Sequence, residues 1–139
     1  MTLNALEHSQ RPQWLTFDCY GTLIQWDEGL QAAVRKILSA KQTATIDPAR
    51  FISIYVRHEH ALEQSSPHRS FRSVTEDALR LALDELGLQS DADDARVLTD
   101  SISAMPPFPE VTGALARLKE AGYRLCIPGR CSVAKSHQA

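Results

Sequence analysis

Two short apolar, strand-forming segments lie near opposite ends of this chain, and nearly everything between them is patterned as helix. The first is Trp14-Leu15-Thr16-Phe17, preceded by Pro12. Its β-branched and aromatic content predicts a buried strand running into a glycine-containing loop, Asp18-Cys19-Tyr20-Gly21-Thr22. The second is Tyr123 to Ile127. It follows a helical stretch marked by Val111, Leu115 and Leu118 and closed by Gly122. Helix, glycine, strand is the repeating unit of a parallel α/β sheet. A parallel pair needs a crossover between its strands. Here that crossover is an all-helical insert, which predicts a cap hung on a core sheet.

The insert carries clear start and stop signals. Leu30, Ala33, Val34, Ile37 and Leu38 recur at helical spacing, with Asp27 and Glu28 near the start of that helix. A polar connection from Ala40 to Ile46 leads to Asp47-Pro48, an N-cap followed by proline at the first helical position. Phe51, Ile54, Tyr55, His58, Ala61 and Leu62 then mark one face, and Ser65-Ser66-Pro67 ends it. Ser73 and Glu76 fit a capping box for a third helix, with Val74, Ala78, Leu81, Ala82 and Leu86 as its stripe and Gly87 as its stop. A short helix over Asp94 to Ser103 precedes Met105-Pro106-Pro107-Phe108-Pro109, a stiff linker that cannot be helical. The domain reading is therefore core over 1–25, helical cap over 26–105 and core return over 106–139.

Composition narrows the function. The 139 residues carry 15 Lys+Arg against 17 Asp+Glu, a net charge of −2, which gives no electrostatic footprint for nucleic acid. No apolar run approaches the length of a membrane span, and MTLNALEHSQRPQW lacks the basic-then-apolar pattern of a signal peptide. Three cysteines, Cys19, Cys126 and Cys131, make no even disulfide framework, so the expectation is reduced thiols in a cytoplasmic protein. Cys126, Cys131 and His137 match no common zinc spacing, and His58 and His60 sit two apart, pointing away from each other on a helix. No metal site is expected, and the histidines read as solvated helix surface.

Asp18 carries the chemistry. It lies at the C-terminal end of the first strand, the edge where open α/β sheets bind ligands. A carboxylate there is placed to be a nucleophile. The same residue type also terminates strands and organises turns, and position alone leaves both readings open.

The segment Leu15-Thr16-Phe17-Asp18-Cys19-Tyr20-Gly21-Thr22-Leu23 resembles motif I of the haloacid dehalogenase (HAD) superfamily. More narrowly, Asp-x-Tyr-Gly-Thr-Leu is similar to that of the type II (S)-2-haloacid dehalogenases. HAD phosphatases usually carry a second aspartate two residues after the nucleophile, as general acid; here Tyr20 stands there. A phosphoester leaving group needs a proton and a halide does not, so the lone carboxylate fits carbon–halogen displacement. The resemblance implies an incomplete HAD Rossmann-like parallel core with a helical cap insert. It implies a small-molecule 2-haloacid substrate, attack by Asp18 on its α-carbon, an aspartyl-ester intermediate, and no cofactor or magnesium. Tyr20 and Thr22 are placed at the substrate, although Tyr20 also reads as plain core packing.

The stretch Tyr55 to Glu63 resembles the family's cap helix. The resemblance implies that Arg57 holds the substrate carboxylate or the departing halide, as a guanidinium suits a carboxylate clamp. The alternative is a solvated arginine on an amphipathic helix. Phe71 to Leu88 and Phe108 to Ile127 also resemble family segments, so the likeness covers residues 14–127.

It breaks after Ile127. The family pattern next calls for Ser or Thr, usually followed by Asn, and this chain has Pro128-Gly129-Arg130. Ser132 and Lys135 are the right residue types in another context and are not assigned. A doubly wound core would need on the order of 80 to 100 more residues. The expectation is a C-terminally truncated dehalogenase-like chain with weak or no turnover of its own. Two alternatives remain. One is a HAD phosphatase, which predicts magnesium-dependent turnover of phosphate esters. The other is a non-enzymatic helical module or pseudoenzyme whose cap forms a homodimer or binding surface.

Overall fold

The computed structural model describes residues 11–43 and 45–128. Their elements, in chain order, are β1 (Trp14–Thr16), α1 (Trp26–Ala40), α2 (Pro48–Glu63), α3 (Phe71–Glu85), α4 (Ala92–Ser103), α5 (Val111–Glu120) and β2 (Arg124–Cys126). They group into two units. One comprises the described residues up to Ile24 and from Pro107 onward; the other is Gln25–Pro106.

In the first unit β1 and β2 pair in parallel, Trp14 opposite Arg124, Leu15 opposite Leu125 and Thr16 opposite Cys126. The Phe17 amide donates to the Cys126 carbonyl at 2.9 Å, carrying the ladder to the residue before Asp18. α5 packs against β2. The expectation of a buried first strand is corrected here: Trp14 is 55% exposed and the strand alternates exposed, half-buried, exposed. Apolar β-formers mark a segment able to be buried on both faces, but burial itself depends on neighbouring layers, which a local pattern does not contain. The Arg124 guanidinium lies 5.4 Å from the Trp14 ring centroid, a cation–π contact across the register pair.

The second unit is four helices in cyclic contact, α1 with α2, α2 with α3, α3 with α4 and α4 with α1. Its core is Leu30, Val34 and Ile37 from α1, Phe51 and Tyr55 from α2, Ala78, Leu79, Ala82 and Leu83 from α3, and Leu98 from α4. Each buried Leu, Ile or Phe contributes about 1.5–3 kcal/mol relative to exposure. The expected stripe on α2 holds for its first half only. Phe51 and Tyr55 are buried, whereas Ala61 is exposed.

The helix signals resolve unevenly. Asp47 Oδ1 accepts from the Ala49 amide at 3.1 Å, with Pro48 at the first helical position, as expected. The capping box placed at Ser73 and Glu76 is corrected: Ser70 is the cap, accepting from the Ser73 amide at 3.2 Å. α4 starts earlier than Asp94, at Ala92. Asp91 and Asp94 form the reciprocal capping box, with amide-to-carboxylate distances of 2.9 and 3.0 Å.

Asp94 is also the buried partner of Lys41, whose Nζ lies 2.7 Å from Asp94 Oδ2 and 3.4 Å from Asp91 Oδ2. The same ammonium donates to the Gln89 carbonyl at 2.6 Å. Lys41 caps the C-terminal end of α1, so its charge also complements that helix dipole. Burial opposes the Lys41 charge, yet the Asp94 hydrogen bond and charge, with Asp91 behind them, hold its pKa above the usual lysine value.

Tyr55 and Glu59 add one charge with the opposite tendency. The buried Tyr55 hydroxyl donates to Glu59 Oε1 at 2.8 Å. Burial raises the Glu59 carboxyl above its ordinary range despite that bond, and the Glu63 charge adds to the rise. A carboxyl whose folded pKa exceeds its unfolded one binds its proton more tightly when folded. Its contribution is in place below the unfolded pKa and is lost as pH rises through the folded value. Glu59→Gln keeps an acceptor for Tyr55 without the charge. It is expected to stabilise the helical unit at pH 7 by about 0.5 kcal/mol. Thermal melts should show the gain at neutral pH and its disappearance in acid, where Glu59 is protonated in both states.

Candidate active site

The loop after β1 is built by its own backbone. The Cys19 carbonyl accepts from the amides of Thr22, Leu23 and Ile24 at 3.3, 2.8 and 3.0 Å. The Gly21 amide closes the turn on the Ile24 carbonyl at 2.9 Å. Gly21 has φ +80°, and nothing lies within 4 Å of where a Cβ would stand. Glycine is therefore needed for the backbone angle and not for space, since a side chain in that conformation costs about 1–2 kcal/mol. Leu23 is buried, and its carbonyl accepts from the Phe108 amide at 3.0 Å, which anchors the loop to the returning chain.

That turn places Thr22 back over Asp18. Thr22 Oγ1 donates to Asp18 Oδ2 at 2.8 Å, and both residues are exposed. Asp18 thus sits at the carboxyl end of a parallel strand pair with Oδ2 oriented by a neutral hydroxyl. Tyr20 lies on the same loop and is 44% exposed, which corrects its reading as core packing. Its backbone bridges to Ile24.

Arg57 belongs to the helical unit. It emerges from α2 with its side chain 62% exposed, and Nη2 donates to both oxygens of Glu85, at 2.5 and 2.7 Å. His58 Nε2 lies 2.8 Å from the same Glu85 Oε2. The Arg57 hydrogen bond first, and His58 second, hold the Glu85 carboxyl below its usual range. His58 is therefore tied into the Arg57–Glu85 contact and not simply solvated surface. Sequence reasoning missed Glu85. Arg57 and Glu85 are on different helices, and no local spacing links them. Asp18, Tyr20 and Thr22 are together on one loop, with Arg57 in the other unit.

Among the described residues no three His, Cys, Asp or Glu side chains group closely enough to hold a metal ion. Cys131, Ser132, Lys135 and His137 lie outside the described residues. No helix among those described is long and apolar enough to cross a membrane.

The architecture is that of known proteins. The chain superposes on the L-2-haloacid dehalogenase of Xanthobacter autotrophicus with chloropropionic acid covalently bound, at a TM-score of 0.67 and 21% identity, over 86% of this chain and 47% of that one. A defluorinating L-2-haloacid dehalogenase matches at a TM-score of 0.67 and 21% identity, over 81% of this chain and 49% of that one. The helix-rich chain with its small parallel sheet thus has the HAD-like dehalogenase fold. In sequence it is 33% identical over 118 residues to the (S)-2-haloacid dehalogenase of Pseudomonas sp. (strain YL), covering 81% of this chain and 47% of that protein. The haloacetate dehalogenase H-2 of Moraxella sp. (strain B) is 29% identical over 129 residues, covering 88% and 54%. No family model matches. These relatives are named (S)-2-haloacid and haloacetate dehalogenases, and the chain spans about half the length of the curated relatives it matches.

Proposed function

We propose that this chain carries the nucleophile and the cap arginine of a 2-haloacid dehalogenase, acting on an (S)-2-haloacid. The observation that carries the reading is Asp18 at the carboxyl end of β1, oriented by Thr22 Oγ1 at 2.8 Å, with Tyr20 where a phosphatase of this fold class would carry its acid. A displacement at saturated carbon needs an anionic oxygen aligned behind the carbon–halogen bond, and no proton donor to the departing halide. The loop supplies that oxygen and carries no second carboxylic acid to protonate a leaving group.

In this reading Asp18 Oδ1 forms a bond to the substrate α-carbon as the carbon–halogen bond breaks, and halide leaves with the bonding pair. The configuration inverts. Water then adds to the carboxyl carbon of the Asp18 ester, the acyl carbon–oxygen bond breaks, and the carboxylate returns with release of a proton. The α-carbon is attacked once, so the 2-hydroxy acid leaves inverted. Arg57 would hold the substrate carboxylate, a role for which the delocalised, always-charged guanidinium suits better than an ammonium. Tyr20 and Thr22 would border the reacting centre. A homodimer through the helical cap and a cytoplasmic location belong to the same reading; light scattering and fractionation test them.

Chirality is the direct test. Halide release and product configuration are followed with (S)- and (R)-2-chloropropionate as separate substrates. The reading expects release from the (S) acid alone, giving the (R)-2-hydroxy acid. Retained configuration contradicts a single attack at the α-carbon, and equal use of both enantiomers contradicts the (S) specificity.

A further inference from the structure

Glu85 occupies one nitrogen, Nη2, of the guanidinium that the proposed function assigns to the substrate. Both of its oxygens lie within hydrogen-bond distance of one nitrogen, Arg57 Nη2, at 2.5 and 2.7 Å. Such short charge-assisted contacts are the stronger class of hydrogen bond. Chemically, Glu85 presents to Arg57 what a 2-haloacid would present, a carboxylate. It also has a second hydrogen-bond partner, because His58 Nε2 lies 2.8 Å from Oε2. A carboxylate displaced from Arg57 can therefore stay on His58 and need not be expelled unpaired into solvent. All three side chains are reachable, Arg57 and Glu85 being well exposed and His58 half-buried.

We propose that Glu85 is an internal competitor for the Arg57 carboxylate site, so that a substrate acid that takes Nη2 displaces it onto His58. This deepens, and rests on, the proposed role of Arg57 as the carboxylate clamp. Glu85 is then a positioning residue acting through Arg57, and it sets the affinity for anionic substrates. A ligand without a carboxylate gains nothing from its removal. The contest is between exposed charges, which limits its size. Exposed ion pairs of this kind shift an equilibrium by roughly two- to fivefold.

The test is a binding titration of the full chain with propionate, which has the carboxylate and no halogen, read on the Arg57 guanidinium by side-chain nitrogen NMR. Glu85→Gln is expected to tighten propionate binding about two- to fivefold. Asp84→Asn removes the same charge from the neighbouring residue, which pairs with Arg80, and is expected to change nothing. Neutral propionamide should not distinguish Glu85→Gln from the parent. Where halide release is measurable, the change should appear as a lower KM for 2-chloropropionate, a split that a structural role for Glu85 would not give. Unchanged or weaker propionate binding in Glu85→Gln overturns the proposal, as does equal tightening in Asp84→Asn. The two readings fail separately. Tighter propionate binding without any halide release removes the dehalogenase reading and keeps the competitor. Stereospecific halide release with unchanged propionate binding does the reverse.

Discussion

Asp18→Asn is expected to take whatever halide release from (S)-2-chloropropionate the chain supports down to background, while leaving the melting temperature where it was. The amide keeps the size of the side chain and an oxygen that can accept from Thr22 Oγ1, so the 2.8 Å contact and the turn behind it survive. What goes is the negative charge on the attacking oxygen. A neutral amide oxygen is a poor nucleophile at saturated carbon, and no second carboxylate stands on the loop from Cys19 to Ile24 to replace it. Asp18 is exposed, so its substitution disturbs no packing. Rate and stability should therefore separate cleanly. Loss of both together would point to the turn-organising role of Asp18.

The largest stability effect is expected at Asp94. Among the ion pairs described in the helical unit, most are exposed. Arg96 with Asp93 and Arg72 with Glu76 are examples, each worth at most about 0.5 kcal/mol. Lys41 and Asp94 differ, with side chains only 13% and 6% exposed and 2.7 Å apart. Asp94→Ala leaves the buried ammonium with Asp91 and the Gln89 carbonyl only. It also strips the Asp91 amide of its acceptor at the start of α4. Removing one hydrogen-bonded partner of a largely shielded charge that keeps others costs about 1–3 kcal/mol. The double substitution Lys41→Met with Asp94→Leu should recover much of that loss, because no buried charge is then left alone. Denaturant melts of the single and double variants give the coupling directly. A cost below about 1 kcal/mol for Asp94→Ala would show that water reaches Lys41 as readily as it reaches the exposed pairs.

The local signals of the fold were legible where one residue type permits one geometry. Asp47-Pro48 could only start a helix. Gly87 and Gly122 mark stops and adopt φ of +71° and +88°. The ambiguous cases failed where two candidates compete. Ser70 and Ser73 are both competent caps, and the choice between them depends on where α3 meets the rest of the unit. Strand existence and parallel pairing were readable from helix-glycine-strand order, but exposure of Trp14 was not, because burial is a property of neighbouring layers. The same division holds at the site. Asp18, Gly21 and Thr22 form a local motif whose geometry follows from short backbone closure. Glu85 reaches Arg57 across a helix packing contact between α2 and α3, and that contact is set by side chains spread over both helices.

The account rests on a covalent bond to Asp18, which an intact-mass measurement after rapid quenching with (S)-2-chloropropionate detects directly. The predicted result is a mass increase equal to the acid less hydrogen chloride, located on the peptide containing Asp18, with chloride released in step with it. It should be absent with the (R) acid and in Asp18→Asn. An unmodified protein with no chloride released, or an adduct that persists in Asp18→Asn, contradicts it.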